Sequence, residues 1–501
     1  MGENVFNVKR SGAVDLLTGT PWKKLLRFAI PLFIGNLFQQ LYNTVDSIIV
    51  GRWVGHVALA AVGVSSPILF FLVSIFMGVA MGSTVLVSQY YGARNASALR
   101  QTLHTAIMLA LVVGLILSAI GIVFSPAVLR LLNTPADTYD LALIYVRILF
   151  SGIIGQMMYN MTCGFMRGQG NSRMPLIILI ITSIMNMILD LIFIIPMGMG
   201  VAGAAWATVI SQFISAIIAL IALHRTGPLT RISFKELRIS WQRTKEIFKI
   251  GIPTACQQAI MSIGGMVIMS FVTTYGTTTI AGYAAAMKVD MLAVMPVMSF
   301  SMAMTSYTGQ NIGAARMDRV YLGAKQGFAL AAIVTAVMSS LLLLFGKYIL
   351  MLFTDNAATI EAGYRMMRTV VPFYLLLATI QIHGGVMRGS GATVIPMINA
   401  ITFNIVARIP LVILLNHLLR SADAIYWSQV GGWAVGAVHM YVSYKQGKWK
   451  KMAFSRIALL HPDLDEQYIQ NGPPDGGIQG TPQDRPPQEG GPPVAPAAQT
   501  V

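Results

Sequence analysis

The stretch MPLIILIITSIMNMILDLIFIIP (174–196) is apolar and long enough to cross a bilayer as an α-helix, yet it carries one amide and one carboxylic acid. Asn186 and Asp190 lie four residues apart, so a helix places both on one face, one turn from each other. Burying a carboxylate there is costly unless it has a partner, a proton or a cation. This stretch therefore predicts a membrane helix with a functional site on one face.

The composition extends this prediction to the whole chain. Of its 501 residues, 55% are hydrophobic and only 11% are charged, whereas a soluble protein carries roughly 25% charged residues. The mean hydropathy is +0.66, which predicts a polytopic membrane protein. A net charge of +16 would suit a nucleic-acid-binding protein, but the basic residues are scattered through short loops, as in topology signals. We therefore expect no nucleic-acid partner.

The sequence predicts no disulfide framework, no zinc site and no cleaved signal peptide. Cys163 and Cys256 both lie inside apolar segments, so no disulfide framework or zinc site is expected. The first residues lack an apolar core followed by a small-residue cleavage site, so we expect the first membrane segment to direct insertion.

About twelve apolar segments have the length of a membrane helix. They cover residues 24–50, 58–89, 99–125, 138–165, 174–196, 200–223, 245–273, 279–311, 320–346, 362–386, 394–417 and 424–444. Basic residues cluster before the first segment, between the sixth and seventh, and after the last, which predicts that both termini are cytoplasmic in a multi-pass protein of the cell membrane.

These segments divide into five regions. We expect a cytoplasmic N-terminal segment (1–22), a first lobe with spans one to six (23–223), a cytoplasmic linker (224–244), a second lobe with spans seven to twelve (245–446), and a cytoplasmic, largely disordered tail (447–501). The end of this tail is rich in Pro, Gly and Gln, which favours disorder.

The two predicted lobes are internal repeats. GFMRGQG (164–170) recurs as GVMRGSG (385–391), and the same offset pairs Gln89 with Gln310 and Arg147 with Arg368. Six spans in each half give both halves the same orientation, which predicts an all-α protein of two six-helix lobes related by a pseudo-two-fold axis along the membrane normal. A cavity between such lobes is typical of alternating access.

With these paired loops, an Ile-Pro early in the first and seventh spans, and the pattern of Asp46, Asn186 and Asp190, the chain resembles the multidrug and toxic compound extrusion (MATE) family over about residues 20–446. The resemblance implies a twelve-helix antiporter with V-shaped lobes. It also implies export of organic, often cationic compounds in exchange for protons or sodium ions. The matching family residues bind or relay the coupling ion, which supports that role for Asp46, Asn186, Asp190 and Thr208.

Depth along the helices independently brings these residues together. Counting 1.5 Å per residue from the outer end of each span puts Asp46, Asp190 and Thr208 all at roughly 9 to 12 Å, with Asn186 one turn deeper. Two carboxylates in an apolar lobe repel each other, so we expect a proton or Na⁺ to relieve the repulsion. Oxygen ligands suit either ion, so the sequence does not distinguish proton coupling from sodium coupling. A drug cation could compete for the same negative charge, which would couple its export to entry of the ion. No other cofactor is expected.

A structural alternative is that Arg147, in the fourth span, neutralises Asp46 or Asp190. Its repeat partner, Arg368, lies in a half whose counterparts of the two acids are Ile268 and Leu411, which argues that the arginine does not require them. In the second half, a structural ion pair between Asp290 and Arg408 is favoured over a second transport site.

Several other residues are candidates for the substrate cavity and for a hinge. Pro31 removes a backbone hydrogen bond inside the first span and could let that helix bend when Asp46 changes charge. Methionines at helical spacing in the eighth span could adapt to varied apolar ligands, although helix packing explains them equally well. The cavity candidates are Asn36, Gln39, Gln40, Tyr42, Asn43, Gln257, Met287 and Met291.

These features favour a secondary active exporter for small, amphipathic organic cations or drugs, surrounded by membrane lipid and acting as a monomer. A flippase or exporter of a specific lipid-linked or metabolite substrate is the alternative, and Lys288 and Arg408 keep it open because they could bind a phosphate. An enzyme is not expected, because the seven histidines form no ligand spacing. The sequence contains no glycine loop of the phosphate-binding type, so we do not expect ATP to be the energy source.

Overall fold

A computed structural model describes residues 12–132 and 134–464, and these residues form sixteen α-helices. The helices are α1 (Pro21–Ile49), α2 (His56–Gly92), α3 (Ala96–Leu131), α4 (Ala136–Ser151), α5 (Ile153–Gly168), α6 (Arg173–Ile194), α7 (Gly200–Thr226), α8 (Trp241–Val272), α9 (Gly276–Gly313), α10 (Met317–Met351), α11 (Ala357–Val370), α12 (Tyr374–Gly389), α13 (Val394–Ala400), α14 (Ile409–Leu419), α15 (Asp423–Gln446) and α16 (Lys448–Leu460). No strand occurs in these ranges, so the predicted all-α fold is confirmed.

The helices follow the twelve predicted spans, but three spans are interrupted. The fourth is α4 and α5, bent by 46° at Gly152. The tenth is α11 and α12, separated by a 3₁₀ turn at Val371–Phe373, where Pro372 cannot donate a backbone hydrogen bond. In the eleventh, a π-helix at Ile401–Arg408 joins α13 to α14. By length and composition alone, seven stretches of the described chain can span a membrane, or eight if α4 and α5 form one span.

The spans form two lobes, the N-lobe (α1–α7) and the C-lobe (α8–α15), connected by residues 227–240. We call the end of the bundle that carries this connection the linker end and the opposite end the far end. The repeat extends to the backbone, because Gly170 (φ +91°) and Gly391 (φ +86°) both adopt the left-handed conformation that favours glycine. The final glycine of each repeated motif therefore closes the same turn.

The lobes meet at the linker end through two symmetry-related hydrogen bonds. Gln89 Nε2 donates to the carbonyl oxygen of Gly389 (3.0 Å), and Gln310 Nε2 donates to that of Gly168 (2.8 Å). The backbones of α2 and α9 cross closely there, since a Cβ on Gly92 would lie 2.0 Å from the Gln310 carbonyl oxygen. The repeated sequence motifs thus build the contact between the lobes.

Both chain ends pack against the linker end. Near the N-terminus, Leu16 is fully buried, and its carbonyl oxygen accepts a hydrogen bond from Asn311 Nδ2 (3.2 Å). The expectation of a largely disordered tail needs correction at its start, because α16 is a helix whose Trp449 and Ile457 are buried in the C-lobe core. The Pro/Gly-rich remainder of the tail, from residue 465, lies outside the described residues, as do residues 1–11.

Candidate ion and substrate site

The two acids predicted from the sequence meet in the N-lobe. Asp46 lies near the far end of α1, and Asp190 lies one turn before the end of α6, which packs against α1. Their carboxyl groups approach each other within hydrogen-bonding range. Asp190 is fully buried, whereas Asp46 is half-buried. The arrangement gives a pair of carboxyl groups of which one, Asp46, is accessible.

Polar atoms around this pair lack the donors that buried oxygens normally find. In the described part of the chain, no donor reaches either carboxyl oxygen of Asp190 or Oδ1 of Asp46. The amide of Asn186, one turn from Asp190, is also buried, and neither its oxygen nor its nitrogen has a partner there. Such oxygens fit a shared proton or a hard cation, which would supply the missing interactions.

Thr208 joins the site indirectly. Its hydroxyl group, on α7, lies close to the Tyr42 hydroxyl, and Tyr42 lies one turn before Asp46 on α1. The structure therefore places all four residues proposed for ion coupling in one region of the N-lobe, with Tyr42 near both Thr208 and the acids.

Tyr145 is a neighbour that sequence reasoning missed. It is buried in α4, and its phenol group lies close enough to interact electrostatically with both carboxyl groups and with Tyr42. A single tyrosine in an apolar span does not show from the sequence whether its side chain faces a site, a neighbouring helix or lipid. The phenol groups of Tyr42 and Tyr145 both lie near the acids, although neither donates to the carboxyl oxygens that lack partners.

The alternative role of the acids as partners for Arg147 is not supported. Arg147 is exposed, and no ion pair connects it with Asp46 or Asp190, all of which are described residues. In the C-lobe, the positions that correspond to the two acids hold the buried Ile268 and the half-buried Leu411. The pair of acids is therefore a feature of one lobe alone.

The predicted ion pair between Asp290 and Arg408 is wrong as a direct contact. Tyr374 donates a hydrogen bond to Asp290 instead, and the guanidinium of Arg408 interacts with the hydroxyl of Tyr283. The two charges still attract each other at longer range, but they form no salt bridge among the described residues. Lys288 is exposed and lies over the Phe353 ring, 5.6 Å from its centroid.

Of the candidate cavity residues, one contacts the opposite lobe and several others are exposed. Asn36 Nδ2 donates to Ser299 Oγ across the lobes (3.2 Å), near the middle of α1 and α9. Further toward the far end of α1 and α9, the side chains of Gln39, Asn43, Met287 and Met291 are exposed. The lobes are thus in contact from the linker end to mid-depth, and residues beyond that level are accessible. Gln40, Tyr42 and Gln257 are half-buried.

Two six-span lobes that meet at one end, with a pair of adjacent acids inside one lobe, define a two-lobed membrane transporter. The chain belongs to the MatE family, whose profile matches residues 31–192 in the N-lobe and 253–414 in the C-lobe.

Relatives and solved structures agree with this assignment. The chain is 29% identical over 444 residues to the probable multidrug resistance protein YoeA of Bacillus subtilis (strain 168), with 87% of this chain and 96% of that protein covered. It is also 29% identical over 449 residues to YpnP of the same strain, a probable multidrug resistance protein, covering 88% and 98%. Its fold matches an outward-facing multidrug resistance MATE family transporter of the MOP superfamily (TM-score 0.81, 24% identity, 90% and 99% covered).

Proposed function

We propose that the protein is a multidrug exporter that couples the outward movement of amphipathic, often cationic organic compounds to the entry of H⁺ or Na⁺. The observation that carries this proposal is the pair of adjacent carboxyl groups of Asp46 and Asp190, whose oxygens lack donors in a lobe otherwise built of apolar helices. The names of the relatives support multidrug export, and the acids supply a site for the coupling ion.

Charge repulsion provides the coupling step. Two carboxylates in contact cannot both stay ionised without a large cost, so the empty site favours uptake of one cation. A proton would bridge the two carboxyl groups, whereas Na⁺ would also use the amide oxygen of Asn186 and the hydroxyl oxygen of Thr208. Once the ion is bound, the site no longer attracts an organic cation in the neighbouring cleft. Mutually exclusive occupancy of this kind is a coupling free energy between two ligands.

The organic compound would occupy the gap between the lobes. Gln39 and Asn43 on α1 offer hydrogen bonds, while Met287 and Met291 on α9 offer a deformable apolar surface that tolerates varied shapes. A cleft with both kinds of side chain suits amphipathic molecules. Pro31, buried inside α1, would let the part of that helix that carries Asp46 change its angle.

We also propose that the linker end faces the cytoplasm and that the protein acts as a monomer. The linker and the segment after α15 are rich in Lys and Arg, as expected for cytoplasmic loops. With that orientation, contact of the lobes at the linker end corresponds to an outward-facing state.

The test is transport in proteoliposomes that contain the purified protein and a fluorescent organic cation. A proton gradient and a sodium gradient are imposed separately, and the gradient that drives transport identifies the coupling ion. Asp190→Asn should abolish gradient-driven transport while the protein keeps its thermal stability in detergent. The matched control is Glu361→Gln, which neutralises an exposed acid near the far end and should transport normally. Normal transport by Asp190→Asn would refute the site.

A further inference from the structure

A groove of about 570 Å³ opens on the surface of the C-lobe, away from the gap between the lobes. We call it the C-lobe groove. Its walls come from the linker-end halves of α10 and α15, and α12 forms its floor. Exposed apolar side chains surround it, among them Leu322, Leu375 and Val442, as on a surface that faces lipid. The groove is therefore accessible from the bilayer.

The lining of the groove changes from basic to apolar with depth. Lys325 of α10 and Lys445 of α15 are both exposed at the linker end. Farther from that end, Phe328 and Val438 line the walls and Leu376 lies in the floor. A cationic mouth at the membrane surface with an apolar channel below it matches the shape of a phospholipid, which has one charged end and two hydrocarbon chains.

The floor holds a buried imidazole with one unused nitrogen. His383 is 7% exposed, and its Nδ1 lies 2.8 Å from the carbonyl oxygen of Thr379. Its ring packs against those of Phe328, Tyr441 and Tyr444, with centroids 5.7, 5.9 and 4.7 Å away. Because Nδ1 donates to the Thr379 carbonyl oxygen, Nε2 of the neutral ring is an acceptor, and it has no hydrogen-bond partner among the described residues. It can therefore accept a hydrogen bond from a molecule in the groove.

The equivalent place in the N-lobe is closed by protein. The repeat offset puts His104 at the position of Lys325 and Thr162 at the position of His383. There the backbone N–H of Ser233, in the connection between the lobes, donates to His104 Nε2 (3.2 Å). Leu229 and Ile232 of the same connection pack against the N-lobe core. No described segment covers the C-lobe groove in this way, which leaves room for a ligand that the N-lobe does not need.

We propose that the C-lobe groove binds an anionic phospholipid, with the headgroup phosphate between Lys325 and Lys445. One acyl chain lies along Phe328 and Val438, and a headgroup hydroxyl group donates a hydrogen bond to Nε2 of His383. Charge complementarity selects an anionic lipid over a zwitterionic one, because the two charged residues that line the groove in the described chain, Lys325 and Lys445, are both cations. A third cation, Lys450 of α16, lies over the Tyr321 ring at the same mouth, 4.9 Å from its centroid. The lipid would join α10, α15 and α16.

Native mass spectrometry of the full-length protein in detergent tests the proposal. Dioleoyl phosphatidylglycerol and dioleoyl phosphatidylcholine are titrated separately, and bound lipid is counted. The anionic lipid should bind more tightly, and Lys325→Gln with Lys445→Gln should weaken it roughly 30-fold, since each lysine near a membrane surface is worth roughly fivefold. The control pair, Lys235→Gln with Lys249→Gln, removes two exposed cations elsewhere at the linker end and should bind as the wild type does.

Two further measurements separate a lipid from other occupants. Val438→Trp leaves every charge in place but fills the apolar channel, so it should also reduce binding of phosphatidylglycerol. A photo-crosslinking benzoylphenylalanine at position 438 in native membranes should yield an adduct with the mass of a phospholipid. Adducts with the chain itself or with a second copy would overturn the proposal. So would displacement of the lipid by excess inorganic phosphate, or wild-type binding by the double lysine variant.

Discussion

Adding one methyl group at Gly92 should open the linker end. The Cβ of Gly92→Ala would lie 2.0 Å from the carbonyl oxygen of Gln310 in the other lobe, more than about 1 Å inside a normal carbon–oxygen contact. The obstructing atom belongs to the backbone of α9, so no rotamer change relieves the clash. Separation of the lobes at the linker end does relieve it. In the alternating-access cycle that we propose, this separation leads to the opposite conformation.

The expected magnitude follows from the cost of overpacking, about 1–3 kcal/mol for one buried methyl group. If this cost applies only to the state with the linker end closed, the ratio of open to closed molecules rises roughly 5- to 150-fold. Gly313→Ala should act the same way, because its Cβ would lie 1.9 Å from the carbonyl oxygen of Gln89.

Distances between spin labels provide the assay. Labels at Gln101 and Leu322, exposed and equivalent positions in α3 and α10, report the separation of the lobes at the linker end. Cys256 is the exposed native cysteine and is replaced by serine in the background. Gly92→Ala should shift the distribution to longer distances. Gly63→Ala, in the same helix but with open space at its Cβ, should not. An unchanged distribution for Gly92→Ala would refute the assignment of this contact as the closure between the lobes.

Three further changes test contacts away from the two glycines. Arg456→Gln removes the charge-assisted hydrogen bond from Arg456 of α16 to Gln89 of the N-lobe (2.8 Å), which is worth about 1–3 kcal/mol. This change should also lengthen the distances between spin labels at the linker end, whereas Lys451→Gln, on the exposed face of α16, should not. Tyr374→Phe removes the hydroxyl group that donates to the carboxyl group of Asp290, so it should lower the midpoint of thermal unfolding in detergent. Tyr348→Phe, at an exposed position, should leave that midpoint unchanged. Arg147→Gln should leave gradient-driven transport unchanged, because Arg147 is exposed. Loss of transport in this variant would support the alternative in which Arg147 is an ion-pair partner of the acids.

The order and number of spans could be predicted because twenty apolar residues in a row have few alternatives to a membrane helix. The interruptions could not be predicted as readily. Gly152 is one small residue in an apolar pattern, and the bend there depends on how α4 and α5 pack. Pro372 is visible in the sequence, but proline also occurs inside continuous spans, as Pro31 does in α1.

Depth along a helix was a sufficient guide to the first site but not to the second. Counting residues from the far end puts Asp46 and Asp190 at one level, and α1 and α6 are neighbours in the same lobe. For Asp290 and Arg408, the same counting gives the level but not the direction in which each side chain points around its helix. Tyr374, on a third helix, reaches the acid first. A match in depth therefore predicts proximity only when the two helices are known to be adjacent.

The position of α1 explains how a site in one lobe can act on a closure shared by both. Asp46 lies near the far end of this helix, Asn36 bonds to the C-lobe at mid-depth, and the backbone N–H of Trp22 donates to Gln326 of the C-lobe (3.0 Å) at the linker end. The glycine and glutamine contacts of α2 and α9 are symmetric, so by themselves they give no direction to transport. The acids break this symmetry. In the mechanism we propose, a change of charge at Asp46 alters the forces on a helix that contacts the opposite lobe at two levels, so ion binding would favour one arrangement of the lobes over the other.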